Sequence, residues 1–139
     1  MRVDRRDLQE LSKVRLKEAR ALMGLGLYDG AYYLAGYAVE CALKACIAKD
    51  TRRHQFPDKK KVDSSYSHVL LELIKVAGLK DEHLARVKGD SDFETNWDVV
   101  QSWSEQSRYQ RHSHESAQAL LLAVSDRRHG VMTWMKLRW

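Results

Sequence analysis

Six histidines and the basic residues around them are the side chains of this sequence with the readiest chemistry. A histidine changes charge near neutrality and can act as an acid or a base. An arginine keeps its charge and offers a planar fork that can hold two phosphate oxygens. The run Arg108-Tyr109-Gln110-Arg111-His112-Ser113-His114 brings both types together. An anion could be bound there and a proton moved. The same residues also fit plainer roles: Arg108 can pair with Glu105 or Glu115, and His112 and His114 can be solvated polar groups of a loop. A metal centre fits poorly. His112-x-His114 offers two ligands at most, and Cys41 and Cys46, five apart on a helix, point about 140° away from each other. The sequence contains no glycine-rich phosphate loop and no Ser-His-Asp or Cys-His pattern with supporting context. No metal and no cofactor are therefore expected.

Those residues must be positioned by helices. Glycine and proline together number only eight, about half their usual share. Leu and Ala outnumber Val, Ile and Thr nearly two to one, which favours helix because unbranched side chains lose little rotamer freedom there. An all-β sandwich or a parallel α/β sheet is excluded. Leu8, Leu11, Ala19 and Leu22 mark one face of a first helix from Asp4 to about Leu25, closed by Gly24 and Gly26. The segment from about Asp29 to Lys49 is apolar nearly all round and reads as a central buried helix, with Asp29 as its N-cap. Asp50 to Ser65, rich in Arg and Lys around Pro57, reads as an exposed basic loop.

Ser67 is a candidate cap for a helix over Val69 to Ala77 that ends at Gly78, with His68 as a hydrogen-bonding residue at its start. A short helix follows over Asp81 to Val87. Asp90 to Trp103 reads as partly irregular chain, and Ser104 to His112 as a polar loop. Ser113 caps a last helix through Leu120 and Val124, which the spacing of Val131, Trp134 and Met135 extends past Gly130. The expected architecture is all-α, an antiparallel bundle of four to five helices in a single domain over residues 1–139.

Composition narrows the partners. An apolar share of 44% supports a real core, and the net charge of +5 permits an anionic partner without naming one. Two cysteines within one apolar run suit buried free thiols in a reducing, cytoplasmic setting. The charged N-terminus predicts no signal peptide, and no apolar run is long enough to predict a membrane span.

The run Leu34 to Ile47, Ser67-His68 followed by Leu70 and Leu73, Trp103 with Arg108-Tyr109, and the closing SAQALLLAV together resemble the HEPN family. The likeness spans about Tyr28 to Val124. In that family an acidic residue stands a turn before a lysine on the second helix, matched by Glu40 and Lys44. The resemblance implies a compact helical bundle, commonly a two-fold dimer, that binds nucleotides or RNA. It also implies a separately encoded partner of the minimal nucleotidyltransferase type. Many members are metal-independent ribonucleases whose motif is an arginine followed, after four to six residues, by a histidine. Arg108 and His114 are the match here, although Tyr109 stands where active members carry a small polar residue.

Three readings follow. The first is an RNA- or nucleotide-binding domain with a basic dimer cleft containing Arg108, Tyr109, Arg111, His112, Lys44 and Glu40. In such a cleft Glu40 could orient Arg108, while Tyr109 and Trp103 fit core or interface roles better than base stacking. The second is a metal-independent endoribonuclease, the toxin of a toxin-antitoxin pair. Arg108 would steady the phosphorane and His114 would move protons, with a second copy supplying the second histidine. The third is a helical interaction module that docks on another protein through Trp134, Met135 and Trp139 and touches no nucleic acid.

Overall fold

The first helix ends in a way its glycines dictate. In the computed structural model, which describes residues 3–53 and 59–139, α1 (Arg5–Gly24) is capped by Asp4 and closes at Leu25. Gly26 then takes a φ of 75°, a left-handed conformation that costs glycine nothing. Its N–H donates to the Met23 carbonyl at 3.2 Å, and the Leu27 N–H reaches back to Leu22 at 2.9 Å. This double closure satisfies the last carbonyls of α1 and reverses the chain. The short connection lays α2 (Tyr28–Arg53) antiparallel against α1.

Helix α2 is the axis of the molecule, as its all-round apolar pattern predicts. Ala31, Ala35, Ala38, Val39, Ala42, Leu43, Ala45 and Ile47 are buried on its several sides. The small side chains let neighbours approach closely. Ser12 of α1 is buried and donates its hydroxyl to the Ala38 carbonyl at 2.7 Å. Asp29, expected as the N-cap, lies instead inside the first turn of α2, where its carboxylate serves a different segment.

The expected basic loop is corrected in part. Helix α2 continues to Arg53, and α3 (Lys59–Ser65) is helical, so part of that stretch is helix. His54 to Asp58, with Pro57, lie outside the described residues. Helix α4 (Leu70–Val76) follows, with Leu70, Leu73 and Ile74 buried. It closes at Gly78 (φ 74°), where the Leu79 N–H donates to Ile74 at 3.0 Å. Helix α5 (Lys80–Gly89) leads directly to Asp90.

The stretch expected to be partly irregular forms a regular helix, α6 (Ser91–Gln101). Asp90 makes the difference: its Oδ1 accepts the N–H groups of Asp92 at 3.1 Å and Phe93 at 3.0 Å. Asp92 and Glu94 in the first turn suit the positive end of the helix, so the acidic cluster favours helix rather than opposing it. Phe93, Trp97 and Val100 then reach the core at spacings of four and three. A 3-10 turn (Glu105–Tyr109) occupies part of the expected polar loop.

Ser113 caps α7 (His114–Ser125) as expected, accepting the Ser116 N–H at 3.1 Å. The last helix does not run on past Gly130. The chain breaks at Asp126, and α8 (Val131–Lys136) starts afresh from Gly130. A Cβ on Gly130 would lie 2.3 Å from the Asp126 carbonyl oxygen, so only glycine fits this close return. The break turns Val131, Trp134 and Met135 into the core, where Trp134 and Met135 are fully buried. They are no docking surface, which removes the exposed aromatic face of the third reading. Trp139 packs against the core as well. Among the described residues the protein is all-helical, without strands.

Candidate functional site

The site takes its shape from how the segment after α6 crosses α2. Tyr33, Tyr37, Glu40 and Lys44 recur at spacings of four, three and four and share one stripe of α2. Asp29, four before Tyr33, continues that stripe, while Tyr28 and Tyr32, four apart, form a second one, each about 100° around the helix from the neighbouring residue of the first. Residues 103–114 run antiparallel to α2 and touch the first stripe, then the second.

Trp103 anchors the crossing. Its indole is 3% exposed and lies flat on Gly36, so close that a Cβ there would stand 2.3 Å from the ring. Tyr33 stacks on the indole with ring centroids 6.0 Å apart, and Tyr37 stacks on Tyr33 at 5.9 Å. Trp103 is therefore a core aromatic, one of the two roles its position allowed. Beyond it the 3-10 turn carries Arg108, whose guanidinium stands 4.9 Å from the centre of the Tyr109 ring. The Tyr109 side of that contact is the main influence pushing the arginine's pKa up, with Tyr33 and Glu105 adding to it. Arg108 keeps its charge under all ordinary conditions. Tyr109 is 73% exposed and buries no face in the core.

Glu40 is the buried charge of the region, its side chain only 3% exposed. Lys44 Nζ lies 3.3 Å from Glu40 Oε2, the pairing expected from their spacing. The other oxygen receives His68 Nδ1 at 3.0 Å, and the opposite ring nitrogen of His68 meets Glu105 Oε2 at 3.1 Å. Among the described residues Glu40 thus touches no arginine directly; it reaches the Arg108 turn through His68 and Glu105. His68 is a hydrogen-bonding residue just before a helix start, as expected, whereas Ser67 is not the cap: its Oγ accepts the Val69 N–H, but the N-cap of α4 is Val69, with no side-chain cap bond. Among the described residues no ion pair joins Arg108 to Glu105 or Glu115, the pairings its sequence allowed; Glu105 adds only the smallest of the influences on the arginine.

The second stripe holds the histidines of the run. His112 donates its backbone N–H to Asp29 Oδ1 at 2.6 Å, and its ring lies on Tyr32 with centroids 3.7 Å apart. His114 meets Tyr28 edge-on at 5.1 Å, with Glu115 at 3.9 Å. Arg111 and His112, with Tyr28, Asp29 and Gly30, line an open pocket of about 370 Å³. Arg108 and His114 are consequently on different stripes. Among the described residues no hydrogen bond or ring contact joins them.

Three ligating side chains also converge elsewhere, at Asp90, Asp92 and His129. The chemistry of this group is already committed. Asp90 Oδ1 caps α6, while its Oδ2 takes His129 Nδ1 at 2.8 Å and Arg86 Nε at 3.1 Å. A guanidinium in contact with the central carboxylate opposes a cation, so the group reads as a charged helix cap.

A model of the HEPN domain matches residues 6–126. The chain belongs to the HEPN family. Membership agrees with the all-helical architecture and carries the family's general association with nucleotides and RNA and its frequent dimerisation. No curated protein and no solved structure matches the chain. The HEPN match extends beyond the resemblance read from the sequence, taking in α1 as well as the stretch from Tyr28 to Val124. Sequence reasoning missed the coupling of His68 to Glu105 and the seating of His112 and His114 on Tyr32 and Tyr28, because each contact joins residues far apart in the chain. No described helix is long and apolar enough to cross a membrane.

Proposed function

We propose that this HEPN protein binds RNA or a nucleotide through the surface built by residues 108–114 on α2. The observation that carries the reading is Arg108 standing over a largely exposed Tyr109. An exposed ring can stack a base while a guanidinium beside it holds phosphate, and neither demands a particular sequence. Arg111, His112 and the pocket at the α2 N-terminus lie one stripe further on and extend the same surface. Lys44 and Glu40 flank it from the other side, Lys44 as a further cation and Glu40 as a support beneath. Two copies joined across a two-fold axis would make one basic cleft, and a separate minimal nucleotidyltransferase is the partner that family resemblance favours.

The test is binding of a labelled single-stranded RNA by fluorescence anisotropy at low and moderate salt. Arg108→Ala and Tyr109→Ala should each weaken it about tenfold, in line with stacking contributions of about 1–3 kcal/mol. Binding should also fall as salt rises, because phosphate contacts release counterions. Wild-type affinity in both variants sinks the reading. Light scattering addresses the dimer. Cleavage by Arg108 and His114 is the narrower alternative, with each copy of a dimer contributing its own pair to the cleft. Fragments ending in 2′,3′-cyclic phosphate, formed in EDTA and lost in both Arg108→Ala and His114→Ala, would establish it.

A further inference from the structure

His68 sits between two carboxylates. Its Nδ1 is 3.0 Å from Oε1 of buried Glu40, and its Nε2 is 3.1 Å from Oε2 of Glu105. An imidazolium has two N–H groups and can donate to both. A neutral imidazole has one and must give up a partner. The two partners are unequal. Glu40 is buried and would be left with Lys44 alone, whereas Glu105 is about one-third exposed and can turn to water or to another cation. Leaving a buried carboxylate short of donors costs more than freeing an exposed one. The neutral ring therefore keeps Glu40 and releases Glu105.

The nearest other cation on the 3-10 turn is Arg108. Glu105 and Arg108 are three residues apart there, the spacing at which side chains of a 3-10 turn eclipse. Glu105 already contributes to the electrostatic environment of Arg108. Among the described residues the charged groups in contact with or next to His68 are Glu40 and Lys44 of α2 and Glu105 of the turn, with Arg108 influenced by Glu105 and Tyr37 by Glu40. On its own segment Glu72 is engaged by the Ser67 hydroxyl at 3.2 Å.

The geometry points to His68 as a proton-dependent latch on the phosphate contact. When charged it holds Glu105 and leaves Arg108 open to a phosphate; when neutral it lets Glu105 pair with Arg108 and close it. This inference rests on Arg108 being a phosphate contact, as proposed above. His68 is a positioning residue, acting on the nucleic acid through Glu105. The same proton raises the local charge by one, so both effects favour an anion in the same direction.

The experiment compares wild type, Glu105→Gln and His68→Gln. Each is titrated with a fluorescein-labelled oligouridylate at constant ionic strength, at about pH 5.5 and about pH 8, either side of the range in which histidines titrate. Wild type should bind on the order of tenfold more tightly at the acidic pH, the size of a single charge-assisted hydrogen bond. Glu105→Gln cannot neutralise Arg108, so it should bind at both pH values as wild type does in acid. His68→Gln stays neutral at every pH, with both its N–H groups on one nitrogen, so it should bind equally at the two pH values. A wild-type pH dependence surviving in His68→Gln, or no gain at the alkaline pH in Glu105→Gln, overturns the latch while leaving the binding surface intact. Absence of binding by all three proteins at both pH values overturns the binding surface and the latch together.

Discussion

Replacing Gly36 by alanine tests whether the seat of Trp103 governs the whole crossing segment. The new methyl carbon would stand 2.3 Å from Cγ, Cδ1 and Nε1 of the indole, where ordinary contact begins at 3.4 Å. The ring and α2 must therefore part by at least 1.1 Å. Indole atoms are rigid and Trp103 is buried, so no flexible chain end can absorb the shift. Overpacking of this kind costs about 1–3 kcal/mol. Alanine returns up to about 1 kcal/mol in helix propensity, which leaves a net loss of up to about 2 kcal/mol. For a chain of this length such a loss lowers Tm by up to roughly 8 °C.

The control is Gly24→Ala at the end of α1, where a Cβ meets nothing within 4 Å. That variant should be unchanged or gain about 0.4–1 kcal/mol from a less flexible unfolded chain. Both are measured by urea denaturation, with RNA binding by anisotropy alongside. Gly36→Ala should also weaken binding, because the 3-10 turn carrying Arg108 follows Trp103 directly. In a Trp103→Leu background the cost of Gly36→Ala should shrink, a coupling expected only between residues in contact. If Gly36→Ala is as stable as Gly24→Ala, or its cost is the same with Leu at position 103, the packing argument is refuted.

Two other predictions concern titration and reactivity. Asp90 and His129 form a charged pair in which the hydrogen bond from His129 is the first cause holding the Asp90 carboxyl down at about 2, while the bond to Asp90 is the first cause raising His129. The His129 contribution is full below about pH 6.5 and is lost as pH rises through its raised folded value; the Asp90 contribution is full above about pH 4 and is lost as pH falls through about 2. Denaturation midpoints should accordingly be higher at about pH 5–6 than at about pH 8, and His129→Gln should reduce that difference; an unaltered difference would exclude the pair as its source. Burial pushes the thiols of Cys41 and Cys46 up to about 11, so both should resist a thiol-specific disulfide reagent at neutral pH and react on addition of denaturant. Fast labelling of the native protein would contradict their packing.

The helices are legible in the sequence wherever one local signal decides them. Gly26 and Gly78 end helices because only a left-handed residue can close them. The all-round apolar run of α2 can only be central, and Ser113 caps α7 where its spacing predicts. The misreadings share a cause, which is that a local signal is overruled from a distance. Asp90 converts an acidic stretch into the start of α6, and the link from His129 back to Asp90 crosses 39 positions. Gly130 reads locally as a tolerated glycine within a helix, but the return of the chain onto Asp126 makes it a break, and the break is what buries Trp134.

The candidate site follows the same rule. The run from Arg108 to His114 is read from the sequence as a polar loop leading into a helix capped by Ser113, and that is its form, except that the loop begins with a 3-10 turn; what the spacing does not show is where the run crosses α2. Glu40 and Lys44 pair as a helical spacing of four requires. His68 could not be found that way, because its partners lie 28 positions before it on α2 and 37 after it on the 3-10 turn, and no local pattern connects them. His68 is thus coupled to the Arg108 turn by contacts that no motif spacing selects, beside His112, whose Nε2 lies 3.4 Å from the Ser107 carbonyl oxygen. A mechanism that draws on the Arg108 and His114 of two copies requires a dimer, whereas one that modulates Arg108 through His68 does not. Measuring the pH dependence of binding in a dilute, monomeric sample and in a concentrated one separates the two: a dependence carried by His68 persists in the monomer.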